Sequence, residues 1–225
     1  MLKICVSGSE GKMGSRIIDL AKEDPELEVA AGFDAKDNAE LGIAACECLI
    51  DFTTPAATME HLVLCEKLKK PIVIGTTGLS DEERAKIKEA SNHIPVVISP
   101  NMSVGVNLLF KLAEEASKVL GEEYEVNIVE AHHAEKKDAP SGTAKEIAKI
   151  VKSVKGDDVE IPIDSVREGE IVGEHTVTFE SDVDLLEITH SAKTRDIFAK
   201  GALKAAKFIA GKKSGLFTMK DVLAL

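Results

Sequence analysis

One stretch of the chain gathers side chains that could do chemistry: "EAHHAEKKDAPSGTAKEIA", Glu130 to Ala148. His132 and His133 stand together, then Lys136, Lys137 and Asp138, then a Pro-Ser-Gly-Thr turn ahead of a helical pattern. Lysine and protonated histidine offer charged donors to carboxylates, lysine as a point charge rather than a fork. The general acid of such a loop is His132, near its ordinary pKa at neutral pH, or a lysine whose pKa neighbouring cations lower. Thr143 and Glu146 have capping-box spacing, which predicts a helix starting near Thr143. The N–H groups of Gly142 and Thr143 would then face outward as an anion site. Taken singly, each residue has a plainer reading: a strand-end histidine, a solvated Lys137, a turn aspartate at Asp138. His175 and His190 lie in strand patterns and read as structural. Together the loop reads as an active site that binds an acid group and moves protons.

A second motif, "GSEGKMG", follows the first apolar run and opens the first helical pattern. Gly8, Gly11 and Gly14 are spaced by three, with Glu10 at the second-glycine position of the G-x-G-x-x-G fingerprint. The context restores the motif: strand, turn, helix, and Asp34 closing the second strand about twenty residues on. A helix N-terminus offers unpaired N–H groups to a pyrophosphate, and glycine lets the backbone approach. The plainer reading is a tight turn that binds nothing. Asp34 can accept hydrogen bonds from an adenine ribose, which favours NADH. Lys12 and Lys36 could offset its repulsion of a 2′-phosphate, which leaves NADPH open. "GTTG" (Gly75–Gly78) and "SPNMS" (Ser99–Ser103) follow two later strands, where ligands of open α/β sheets bind. Their hydroxyls and the Asn101 amide suit a nicotinamide carboxamide and ribose.

The elements that must position these groups alternate strand and helix over the first hundred residues. "LKICVSG", "LEVAAGFD", "CLIDFT", "PIVIGTTG" and "IPVVISP" read as strands. "KMGSRIIDLAKED" has apolar residues at helical spacing, Thr54 caps a helix with Pro55 at its first position, and Ser80 and Glu83 form a capping box. This βαβ order implies a parallel sheet covered on both faces. After "NMSVGVN" the order changes to a helix ending at Gly121, the strand "EYEVNIVEAHH", a helix with apolar Ile147, Ile150, Val151 and Val154, and two or three strands without helices. A long amphipathic helix, "RDIFAKGALKAAKFIAG", and a short terminus follow. The fold class read from these patterns is α/β, a parallel dinucleotide-binding sheet of Rossmann type followed by an α+β block carrying a mixed open sheet.

Composition narrows the functions. Of 225 residues, 44% are hydrophobic and 30% charged, as in ordinary globular chains. The net charge of -11 argues against general nucleic-acid or acidic-membrane binding. No apolar run approaches a membrane span, and no signal-peptide pattern opens the chain. Cys5, Cys46, Cys48 and Cys65 lack the spacing of a disulfide or zinc framework, so no metal is expected. The expected compartment is the cytoplasm.

"GSEGKMG", "DFTTPAAT", "VIGTTGLS", "NMSVGVN", "EAHHAEKKDAPSGTA", "IVGEHTVTFES" and "LEITHSAKTRDIFAKGAL", in that order, resemble the dihydrodipicolinate reductase family, also called 4-hydroxy-tetrahydrodipicolinate reductase. The resemblance implies NADH- or NADPH-dependent reduction of a small cyclic dicarboxylate on the diaminopimelate–lysine route. It implies that residues 1–103 and 196–225 hold the cofactor. Residues 104–195 would then bind substrate and form a homotetramer. By the same resemblance His132 is a proton donor and acceptor, Lys136 a proton donor, and His133, Ser141, Gly142 and Thr143 substrate ligands. Gly8, Gly11, Lys12, Met13, Asp34, Gly75, Thr76, Thr77, Ser99, Pro100, Asn101 and Met102 would line the cofactor. Two alternatives stay open: another NAD(P)-dependent amino-acid or imine dehydrogenase, and a non-catalytic dinucleotide-sensing module.

Overall fold

In the computed structural model, which describes residues 1–225, the strands are β1 (Leu2–Ser7), β2 (Leu27–Phe33), β3 (Cys48–Asp51), β4 (Ile72–Ile74), β5 (Pro95–Ile98), β6 (Glu125–His132), β7 (Ile163–Arg167), β8 (Glu174–Glu180), β9 (Leu185–Ser191) and β10 (Gly215–Phe217). The helices are α1 (Lys12–Lys22), α2 (Ala39–Ala44), α3 (Pro55–Leu68), α4 (Asp81–Ala90), α5 (Val104–Val119), α6 (Gly142–Lys155), α7 (Asp196–Ile209) and α8 (Met219–Leu223). The chain divides into two units, Met1–Val104 joined by Asp196–Leu225, and Gly105–Arg195.

The first unit is built on a parallel sheet of order β10-β5-β4-β3-β1-β2. Successive side chains of a strand point to opposite faces, and both faces here are apolar. Ile4, Val6, Cys48, Ile50, Val73 and Val97 join one core with α1, α7 and α8. Cys5, Leu49, Ile72, Ile74 and Val96 join the other with α2, α3 and α4. Thr54 Oγ1 accepts from Ala57 N at the start of α3, and Ser80 and Glu83 exchange both bonds of a capping box at α4. The short elements α2, β10 and α8 were not anticipated, because runs this brief carry too little periodicity to read. Cys5 and Cys46 bring their sulfurs into contact, with Cα atoms 5.6 Å apart. Cys46 and Cys48 belong to opposite cores, so the Cys-x-Cys pair cannot share an ion.

The second unit carries a mixed sheet of order β7-β6-β8-β9. β7 runs parallel to β6, while β8 and β9 are antiparallel. α5 and α6 cover one face through Leu109, Phe110, Ala113, Ile147 and Val151, packed on Val126, Ile128, Val177 and Phe179. On β6 the buried positions are Val126, Ile128, Glu130 and His132, so the apolar face becomes polar at its last two residues.

α7 approaches the β5 loop closely at Gly201, where a Cβ would sit 1.7 Å from the Met102 carbonyl oxygen. Gly201→Ala is therefore expected to destabilise by about 1–3 kcal/mol, as overpacking does. Thermal unfolding should read this as a lower midpoint, roughly 2–4 °C per kcal/mol for a chain of this size. An unchanged midpoint would contradict the close approach.

Candidate active site

The predicted cofactor residues of the first unit fall at the carboxyl ends of β1, β2, β4 and β5. Gly8 has φ +79°, and a Cβ there would lie 2.6 Å from the Phe52 carbonyl oxygen. A Cβ on Gly14 would lie 2.0 Å from the Gly8 carbonyl oxygen, which makes Gly14 the packing glycine between helix and turn. The N-cap of α1 is Gly11, and no side chain makes a capping hydrogen bond there. Lys12 is exposed at the first position of α1, and Met13 packs partly against the core. Asp34 Oδ2 accepts from Ser9 Oγ at 2.6 Å and from Glu10 N at 3.0 Å. The carboxylate is thus held at the glycine turn. Lys36 donates to Glu10 at 2.7 Å rather than to Asp34.

Other predicted residues are engaged within the protein. Thr76 is buried; its hydroxyl donates to Asp51 Oδ1 (3.2 Å) and accepts from Thr58 Oγ1 (2.9 Å) and Thr53 N (3.1 Å). Its side chain therefore ties the β4 loop to the β3 loop and has no capacity left for a ligand. Asp51, fully buried, also accepts from Thr53 Oγ1 and pairs with His61 at 2.7 Å. Ser99 Oγ donates to the Asn101 carbonyl, Asn101 Oδ1 accepts from Ser103 N, and Pro100 is exposed. The Met102 side chain lies in the core. Gly75 is required by the Phe52 ring, 2.2 Å from where a Cβ would be, and Thr77 is exposed. Backbone at Gly8, Gly11 and Gly75, an uncapped helix end and an anchored Asp34 fit a dinucleotide.

In the second unit, strand register assembles the histidine site. Glu130 pairs with His175 across β6 and β8, His132 with Arg167 across β6 and β7, and His175 with His190 across β8 and β9. The Glu130 carboxylate is completely buried. Its Oε1 accepts from Arg167 Nη2 (2.7 Å) and Ser141 N (3.2 Å), and its Oε2 accepts from Arg167 Nη1 (3.0 Å) and lies 2.5 Å from His132 Nδ1. Burial pushes the Glu130 pKa up, but bonds from Arg167, Ser165, His132 and the Ser141 backbone outweigh it and hold the group at about 2. Burial lowers the His132 pKa below 6.5, partly opposed by Glu130. His132 is therefore not at its ordinary value, and burial favours its uncharged form. His175 stacks edge-on against it at 5.1 Å and is pushed down to about 4, first by burial and then by His132.

α6 starts at Gly142, next to Thr143 as expected, but its cap is Ser141 rather than Thr143. Ser141 Oγ accepts from Ala144 N and bonds His175 Nε2 at 3.1 Å. Proximity to β8 made Ser141 the better cap, a tertiary relation the local spacing did not contain. Ser141 is buried, so its side chain serves helix and histidine, while Gly142 is exposed and Thr143 half-buried in the first turn. Lys136 Nζ donates to both Asp138 oxygens, at 2.7 and 2.8 Å, and lowers the Asp138 pKa. His133 is half-buried and Lys137 exposed. Glu130, His132 and His175 place donor atoms within 4.8 Å of one another. Arg167 already engages both Glu130 oxygens and meets the charge of that carboxylate. Arg167 was missed because it lies 37 positions from Glu130 in an unremarked "SVREGE" run. Glu130 was missed because a glutamate in a strand pattern reads as solvent-facing.

Both buried groups make the fold acid-sensitive. The unfolded chain protonates His175 below pH 6.5, the folded chain only near 4, so its contribution is complete above 6.5 and lost as pH falls towards 4. Glu130 adds a second loss between 4.5 and about 2. Urea denaturation is expected to show stability falling by on the order of a few kcal/mol between pH 7 and 4.5. The slope should shrink in His175→Asn. A flat profile in the parent protein contradicts the burial argument.

Comparison with known proteins places the chain in a family. Residues 2–102 match the model of the dihydrodipicolinate reductase N-terminus, and residues 105–223 that of its C-terminus. Proteins named 4-hydroxy-tetrahydrodipicolinate reductase from Citrifermentans bemidjiense and Geobacter sp. strain M21 are each 42% identical over 266 residues, covering 100% of both chains. The solved structure of dipicolinate-bound dihydrodipicolinate reductase from Paenisporosarcina sp. TG-14 is 26% identical and covers 98% of each chain with a TM-score of 0.85. With two matched halves, a parallel dinucleotide-type sheet and the histidine loop intact, the chain belongs to the dihydrodipicolinate reductase family.

Proposed function

We propose that this chain reduces 4-hydroxy-tetrahydrodipicolinate to tetrahydrodipicolinate with NADH or NADPH, releasing water, on the route to diaminopimelate and lysine. The observation that carries the reading is the site around His132, in a chain whose full-length relatives bear the reductase name. The hydride comes from the reduced nicotinamide. The net reaction also consumes one proton, and His132 and Lys136 are the groups assigned to proton handling. His132, whose uncharged form burial favours, exchanges a proton at Nε2. Lys136, with its Nζ fixed by Asp138, is the cationic donor. His133 and the first turn of α6 at Ser141, Gly142 and Thr143 bind the carboxylates, where N–H dipoles favour an anion. Because the Ser141 hydroxyl caps α6, its part is taken by the backbone.

Asp34 supports NADH as the preferred nucleotide. Oδ2 is engaged by Ser9 and Glu10, which orients the carboxylate towards a ribose, and Lys36 is drawn to Glu10 instead of a 2′-phosphate. Gly8, Gly11, Lys12 and Met13 would hold the pyrophosphate, and the loops Gly75–Thr77 and Ser99–Met102 the nicotinamide half. For assembly we assign the open face of the mixed sheet, where Val129, Val166 and Leu185 are exposed, to a homotetramer contact. No helix is long and apolar enough to cross a membrane, and we assign the protein to the cytoplasm on its biosynthetic role.

Purified protein should oxidise NADH when supplied with the condensation product of pyruvate and aspartate semialdehyde. Absence of turnover with either nucleotide would falsify the reading. Lys136→Ala is expected to lower kcat by about 10²-fold or more, with NADH affinity nearly unchanged; lost NADH binding would reassign Lys136. The Kd for NADH should lie below that for NADPH, and Asp34→Ala should narrow the ratio. Light scattering is expected to give a mass near four times 24.1 kDa; a monomer or dimer removes the tetramer assignment.

A further inference from the structure

A neutral histidine can carry its proton on either ring nitrogen, and only one choice leaves the outward nitrogen able to accept a proton. We propose that Glu130, anchored by Arg167, is the positioning residue of this site: it keeps the His132 proton on Nδ1 and presents Nε2 to the substrate. The proposal rests on the reading of His132 as the proton-exchanging group.

Four observations carry it. The Glu130 carboxylate is fully buried and accepts at both oxygens, so it is an anion that can only accept. The nitrogen facing it, His132 Nδ1, must therefore donate, and in the neutral ring Nε2 is left with a lone pair. A Cβ added at Gly173 would lie 3.0 Å from Nε2, so the glycine there leaves that nitrogen uncrowded by a side chain. Finally, Arg167 does more than neutralise Glu130. Its Nη2 also donates to the Asp138 carbonyl at 2.6 Å, and the Asp138 carboxylate grips Lys136 Nζ. One guanidinium thus sets the position of both proton-handling residues, through Glu130 for His132 and through Asp138 for Lys136.

The carboxylate also sets the energetics. When His132 gains a proton at Nε2, the imidazolium lies against a carboxylate that Arg167 keeps ionised. The charge is met inside the protein without waiting for solvent to reorganise. Replacing the carboxylate by an amide keeps the shape and removes that stabilisation.

The test has two arms. In protein with ¹⁵N-labelled histidine, the His132 signals at neutral pH should be those of the Nδ1–H tautomer with a bare Nε2. An Nε2–H tautomer, or an even mixture, overturns the proposal whatever the substrate proves to be. In Glu130→Gln the His132 titration should move to lower pH. The inflection it causes in the kcat profile should move with it, and kcat should fall at least about 10-fold with KM changed little, the pattern of a lost transition-state interaction. Glu130→Asp should recover part of the loss. An unmoved titration with parental kcat in Glu130→Gln sinks the idea. If the parent protein fails to reduce the dicarboxylate, the functional reading falls, while the tautomer and the titration still decide the role of Glu130.

Discussion

Glu130 continues the inward face of β6 past Val126 and Ile128, so the pleat itself drives its carboxylate out of water. An unpaired charge in that position would cost several kcal/mol or would neutralise. The surroundings answer that demand at every oxygen. Arg167 arrives from β7, His132 from two residues along the same strand, and the Ser141 N–H from the start of α6. Each of these partners is then itself oriented. The start of α6 and the His132 ring both meet this one buried anion, and Arg167 links it to the turn at Asp138. A one-residue slip of β6 would turn all of it to the opposite face.

The first unit answers a different constraint by similar means. Its strands end at loops that must leave backbone exposed for a ligand yet stay in place. Small residues permit the approach: Gly8 beneath the Phe52 carbonyl, Gly14 against Gly8, and Gly75 against the Phe52 ring. A second buried carboxylate, Asp51, keeps the loops in register by gathering Thr53, Thr58, Thr76 and His61. Thr76 illustrates the division of labour. Its hydroxyl is fully engaged with the neighbouring loop, so the loop's offer to a ligand is its backbone. Met102 belongs to the same pattern, with its side chain in the core and its carbonyl against α7.

Reading the sequence recovered what short-range physics controls. The alternation of strands and helices, the cap at Thr54, the capping box at Ser80 and the glycine turn with Asp34 all appear as expected, because each depends on residues a few positions apart. The histidine loop stood out as a candidate site because so many cationic and hydroxyl side chains lie within a few positions of one another. Local spacing misled at α6, where Thr143 and Glu146 resembled a cap but Ser141 had a tertiary partner in His175. It was silent on α2, β10 and α8, which are too short to show a period.

By itself the sequence determined the fold class and the family resemblance, and that resemblance singled out His132 and Lys136. Only the tertiary structure decided which charges surround them. Arg167 and Glu130 are far apart in the chain and come together through parallel pairing of β6 and β7, a register that no local pattern encodes. Burial then decided the protonation: it lowers His132, and the Arg167 guanidinium keeps Glu130 ionised. Residue type supplies the chemical repertoire, while dielectric and distance, which exist only after folding, select from it.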